Sequence, residues 1–277
     1  MKTIVTMTSW LKRIDMVGEF IYIFMTSQTV KPDVFYLWLS EDEFPNKWYD
    51  LPKDLLVIAK YFGISIIFCP GNDYVFKRWN VYPKHYNDLV ISVDEDQFYD
   101  VDLIKDAIEY HYPPNTSYNI FSEITVDFQY TKAGLFYNKV PAKSGIPSLK
   151  TNCNGNHIFP PGTFPIECFQ PDNIAKRRIV CKRCDESYFL PWIKYIEGKT
   201  TYLNKKSKLG MLHEDENTSM HNNMVKTYMG ERIRDIQLYF VLRCWPKLMT
   251  KWRTLFPEMN TSKWDCLTDE ELITILA

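Results

Sequence analysis

The run Leu89-Val90-Ile91-Ser92-Val93-Asp94-Glu95-Asp96 constrains this chain more than any other stretch. Its first five residues are mostly apolar and β-favouring, which fits a strand buried on both faces, as in parallel α/β sheets. Three consecutive carboxylates follow, so they emerge at the strand's C-terminal end, the edge where open α/β sheets bind ligands. Adjacent acids repel one another, and at least one carboxyl must hold its proton more tightly unless a cation neutralises the group. Oxygen-only ligands on a short loop suit Mg²⁺ or Mn²⁺. The plainer alternative is a strand that leads into a helix with an acidic first turn, where the helix dipole favours negative charge.

The chain around this run predicts alternating strands and helices. Strands are expected over 4–7, 34–39 and 64–68, with helices over 16–26, 51–61, 76–86 and 101–110. Pro52 opens the second helix and Gly63 closes it, Gly18 weakens the first, and Pro83 interrupts the third. Such alternation means βαβ units and right-handed crossovers. A longer strand over 120–128 and a Gly-, Pro- and Asn-rich stretch over 141–165 come next. Further helices are expected over 189–196, 224–249 and 269–276, with a short strand over 200–203. The fold class that follows is α/β: a three-layer αβα sandwich with a mostly parallel central sheet, plus a C-terminal helical region.

Composition narrows the function classes. A net charge of −1 gives no electrostatic case for nucleic acid. The 7 cysteines are scattered and odd in number, and no signal peptide is visible, so reduced thiols in a cytoplasm are expected. Cys181 and Cys184 lack the second pair that a structural zinc needs. No stretch reaches the ~20 apolar residues that span a bilayer. The basic and aromatic residues in Arg243-Cys244-Trp245-Pro246-Lys247 and Lys251-Trp252-Arg253 would suit peripheral contact with an anionic membrane, but core aromatics flanked by solvated bases are the favoured reading.

Several short motifs recur in one order. Thr6-Met7-Thr8-Ser9 with Arg13 follows strand one, and Ser27-Gln28-Thr29-Val30-Lys31-Pro32 precedes strand two. Leu37-Trp38-Leu39-Ser40 and Val93-Asp94-Glu95-Asp96-Gln97-Phe98-Tyr99 come after them. Over about the first 115 residues this pattern resembles the GT-A nucleotide-sugar-dependent glycosyltransferases, in particular small bacterial enzymes of polysaccharide assembly. Phe159-Pro160-Pro161-Gly162 and Asp185-Glu186-Ser187-Tyr188 echo the family later, whereas Glu95 stands where relatives often carry a third Asp.

The resemblance implies a GT-A-like catalytic domain over 1–205, with a nucleotide-sugar half at 1–115 and an acceptor side at 116–205. A C-terminal helical extension would cover 206–277. It implies Mn²⁺ or Mg²⁺ held by Asp94 and Asp96, with His213 or His221 as a further ligand. The nucleotide-diphosphate sugar would be met by Thr8, Arg13, Lys77, Arg78, Asp94 and Glu95. Asp185 would serve as general base with Glu186 positioning the acceptor, since inverting transfer to a hydroxyl needs a proton acceptor. The acceptor would be a glycan or lipid-linked glycan, and the enzyme cytoplasmic or peripheral on the inner membrane face. Two alternatives stay open: a Mg²⁺-dependent phosphoryl-transfer enzyme, without a G-x-x-x-x-G-K-[ST] loop to favour it, or a non-catalytic sugar-binding protein on the same fold.

Overall fold

A computed structural model describes residues 1–109, 118–122, 128–131, 138–141, 147–148, 157–195, 199–203, 208–212, 227–228, 231–255 and 261–276. Its first half follows the hydrophobic pattern closely. Strand β1 (Thr3–Thr8) leads through a short 3-10 turn to α1 (Ile14–Ser27), then β2 (Val34–Ser40), α2 (Lys53–Phe62) and β3 (Ser65–Cys69). In α1, Ile14, Val17, Phe20, Ile21, Phe24 and Met25 recur at helical spacing and all are buried. Gly18 is less a weak point than a contact: a Cβ there would lie 3.4 Å from the Leu55 backbone, so the missing side chain lets α1 and α2 approach. Pro52 stands just before α2, and Gly63 ends it in the left-handed region at φ 69°.

From β3 the chain forms a 3-10 helix (Tyr74–Val81) and reaches β4 (Leu89–Ser92), β5 (Gln97–Tyr99) and α3 (Leu103–Glu109). An α-helix was expected over 76–86. The tighter coil instead buries four successive side chains, Phe76, Lys77, Arg78 and Trp79, which no single helical stripe could do. Later elements are β6 (Tyr118–Ser122), β7 (Phe128–Thr131), β8 (Asn138–Pro141), β9 (Pro147–Ser148), β10 (His157–Phe159), α4 (Pro171–Val180), α5 (Asp185–Tyr195), β11 (Lys199–Leu203) and β12 (Lys208–Met211). The helix expected over 224–249 is two helices, α6 (Ile233–Cys244) and α7 (Pro246–Leu255), preceded by a two-stranded pair. Pro246 cannot continue a helix but suits the first turn of a new one. Two short helices, α8 (Ser262–Asp265) and α9 (Asp269–Leu276), end the described chain.

The central sheet has the order β3-β2-β1-β4-β10-β6-β11-β9. β10 and β9 run against the other strands, so the sheet is mostly parallel. Alternation sorts its side chains into two layers. Val5, Met7, Leu37, Leu89 and Ile91 face α1, α2 and α3, while Ile4, Trp38, Val90 and Phe159 face the 3-10 helix, α5, α6 and α7. Helices on both faces of such a sheet make the three-layer α/β sandwich. Trp245, Trp252 and Trp264 of the C-terminal helices share a core with Trp79 and Phe159, so these helices close the second layer.

Gly63→Ala tests the reading of α2. A Cβ there meets nothing within 4 Å, so only the left-handed conformation resists it. Urea denaturation should show a loss of about 1–2 kcal/mol with an unchanged m-value.

Candidate functional site

The β1–β4 junction decides where a site can form. α1 carries the chain from β1 towards β2 on one face, and the 3-10 helix brings it back to β4 across the other. Neighbouring parallel strands whose connections depart to opposite faces leave a crevice at their C-terminal ends. Residues 9–13 after β1 and 93–96 after β4 line that crevice.

The three acids do not act as one cluster there. Arg78 donates from Nη1 to Asp94 Oδ1 at 2.7 Å and to Ser92 Oγ at 3.0 Å. Arg13 donates from Nη1 to Asp96 Oδ2 at 2.8 Å and stands 3.7 Å from Glu95 Oε1. Ser9 Oγ donates to Glu95 Oε1 at 3.1 Å, and Gln97 Nε2 to Asp96 Oδ1 at 2.7 Å. The Asp94 backbone N–H reaches the Tyr99 hydroxyl at 2.8 Å. Lys77, 1 % exposed, donates to the Ser9 carbonyl and to Glu43 Oε2, both at 3.2 Å, which ties the loop after β2 to the loop after β1. On the far side of Arg78, Trp79 Nε1 donates to Asp185 Oδ2 at 2.9 Å.

Burial sets the electrostatics. Glu95 is pushed up to about 7 by loss of solvent and by Asp94, against the pull of Arg13. Asp185 also rises to about 7, again chiefly through burial, with Arg78 and the Trp79 hydrogen bond opposing. Burial lowers the Lys77 ammonium, only partly offset by Glu43. Asp94, Glu95, Asp96 and Asp185 thus face Arg13 and Arg78, an excess of two negative charges when all are ionised.

Of the residues singled out in the sequence, Arg13, Lys77, Arg78, Asp94, Glu95, Asp96 and Asp185 converge. Thr8 turns away, donating to the Trp38 carbonyl at 2.9 Å within the sheet. Glu186 is buried beside Asp185, whose Oδ1 accepts the Glu186 backbone N–H at 3.0 Å. His213 and His221 lie outside the described residues. Ser9, Glu43, Ser92, Trp79 and Tyr99 join the site without having been foreseen. Ser9, Ser92 and Tyr99 stand in the motif runs quoted above, whereas Glu43 and Trp79 depend on long-range packing.

Cys181 and Cys184 are buried free thiols, with Cys181 Sγ donating to the Cys184 carbonyl at 3.0 Å. No group of three or more His, Cys, Asp or Glu side chains poised for a metal occurs among the described residues. Trp245 and Trp252 are 5 % and 1 % exposed, so of the two readings of these rings the core one holds. No helix among the described residues is long and apolar enough to cross a membrane.

No family model matches the chain, and no curated protein matches it significantly. Among solved structures, 4-diphosphocytidyl-2C-methyl-D-erythritol synthase overlaps 78 % of this chain and 95 % of its own at 10 % identity and TM-score 0.43. S. aureus TarS 1–349 overlaps 99 % of this chain and 78 % of its own at 12 % identity and TM-score 0.42. Overlaps this loose carry no argument about function.

The raised carboxyls give a pH test. At pH 5–7 the folded chain keeps a proton on Glu95 that an unfolded carboxyl of 4.5 has released. Glu95 should therefore contribute most to stability below about pH 4.5 and lose that contribution as pH rises through about 7. In chelator, Glu95→Gln should flatten that fall, melting roughly 3 °C above wild type at pH 8 and level with it at pH 5.

Proposed function

We propose that this chain is a GT-A-type, divalent-cation-dependent glycosyltransferase. It moves a sugar from a nucleotide-diphosphate sugar to a glycan or lipid-linked glycan acceptor, in surface polysaccharide biosynthesis. The observation that carries the reading is the acid run after β4 lying in the β1–β4 crevice, with buried guanidiniums beside it and Asp185 beyond.

The donor set fits a hard cation. Asp94 and Asp96 supply carboxylate oxygens, and once Glu95 and Asp185 are also ionised, above about pH 7, the excess of two negative charges favours a divalent ion. Mg²⁺ is commonly held by one or two carboxylates together with substrate phosphates, so two protein ligands suffice. When bound, the ion would act as a Lewis acid towards the diphosphate leaving group.

The chain's own residues supply the rest. Arg13 and Arg78 fix Asp96 and Asp94 so that neither carboxylate swings away when substrate arrives. Lys77 and Ser9 hold the loop after β1 against Glu95. Asp185 takes the proton from the attacking acceptor hydroxyl, and a carboxyl near 7 is well matched to that work at neutral pH. Glu186 orients the acceptor.

Isothermal titration of UDP, GDP and CDP with Mn²⁺ tests the donor half. One of them should bind only with metal, and Asp96→Ala should weaken it at least about tenfold while melting like wild type. Metal-independent binding, or none to any of the three, sinks the reading. For the acceptor half, Asp185→Asn should lower kcat by about 10²–10⁴-fold with little change in donor KM. Wild-type kcat/KM should rise with pH to a plateau above about 7, because the base works ionised. Slow donor hydrolysis without acceptor separates an enzyme from a binding protein.

A further inference from the structure

A second charged group gathers at the start of the 3-10 helix. Asp73, just before the 3-10 helix, accepts from Arg177 Nη1 and Nη2 at 3.3 and 3.0 Å, and from Arg178 Nε and Nη2 at 2.9 Å each. Two guanidiniums on one buried carboxylate leave a positive charge over. Lys182 and Arg183 follow in the turn between α4 and α5, and among the described residues no acid pairs with either. Arg183 Nε is shut from water without a hydrogen-bond partner, which costs stability. Its guanidinium lies over the Tyr74 ring, 5.3 Å from the centroid. Tyr74 itself holds a left-handed backbone at φ 47°, and strain of this kind gathers at ligand clamps. Arg177 and Arg178 thus share Asp73, Lys182 and Arg183 follow them in sequence, and Arg183 is two residues from Asp185, within about 7.6 Å along the backbone.

We propose that Arg183 and Lys182 bind a phosphate carried by the acceptor, alongside Asp185. The word acceptor rests on the glycosyl-transfer reading; the anion site does not. A planar guanidinium with no acid partner and a lysine beside it match the several oxygens of a phosphate. The phosphate could come from a lipid-linked diphosphate or from a phosphodiester in a polymer.

Isothermal titration of the full chain distinguishes these sources, with geranyl diphosphate for the first, glycerophosphoglycerol for the second and glucuronate as the carboxylate control. Each is titrated with and without UDP, GDP or CDP plus Mn²⁺. One phosphate probe should bind wild type, more weakly as salt rises. Its affinity should fall at least about tenfold in Arg183→Gln, and less in Lys182→Gln or Arg183→Lys. Nucleoside-diphosphate binding should be unchanged in all three variants. The proposal is overturned if neither phosphate probe binds, if Arg183→Gln leaves binding intact, or if glucuronate binds as tightly. Loss of nucleotide binding in Arg183→Gln also overturns it, because the guanidinium then serves the donor. Phosphate binding through Arg183 with no nucleotide binding at all would keep this site and remove the glycosyl-transfer reading. Thermal melts decide whether a variant is folded, and Arg183→Lys keeps the test usable if Arg183→Gln is not.

Discussion

The site depends on the division of three adjacent carboxylates between two guanidiniums. Asp94 is held by Arg78 from the 3-10 helix, and Asp96 by Arg13 from the loop after β1. Without these partners the acids would repel one another in a crevice that excludes most water, where Coulomb terms are strong. Glu95 falls between the two, with the weaker contact to Arg13, and carries a raised proton affinity.

That division gives the 3-10 helix its importance. Tyr74–Val81 buries Lys77, Arg78 and Trp79 in succession, and each reaches a different part of the crevice. Lys77 holds the loops after β1 and β2, Arg78 holds Asp94, and Trp79 holds Asp185 from α5. Burying three such side chains is costly, and their hydrogen bonds offset the cost only if every partner is present. The elements around the crevice are therefore coupled. Asp73 at the start of the same helix extends the coupling to α4 through Arg177 and Arg178.

The legibility of the sequence varied with the range of the interactions. Strands β1 to β4 and helices α1 and α2 were readable because their apolar spacing, Pro52 and Gly63 are local signals. The helix over 269–276 was readable for the same reason. The segment over 76–86 was misread as an α-helix because Lys77 and Arg78 look like solvated residues until their acid partners, distant in sequence, are in place. Trp245 and Trp252 beside basic residues admit a membrane as well as the favoured core, and the packing of α6 and α7 decides for the core.

By itself the sequence determined an α/β sheet with acids at the end of its fourth strand, since alternating apolar runs and three consecutive carboxylates permit little else. It also marked Arg13, Lys77, Arg78 and Asp185 as charged residues near element ends, and the family resemblance assigned the first three to the donor and Asp185 to the acceptor proton. Tertiary structure alone decided that Arg13 takes Asp96, that Arg78 takes Asp94, and that Asp185 lies beyond Arg78 in the same crevice. It alone left Arg183 unpaired over Tyr74. The physical reason is common to all of these. Periodicity and caps act within a few residues, whereas ion pairing and burial join side chains 16 to more than 100 positions apart.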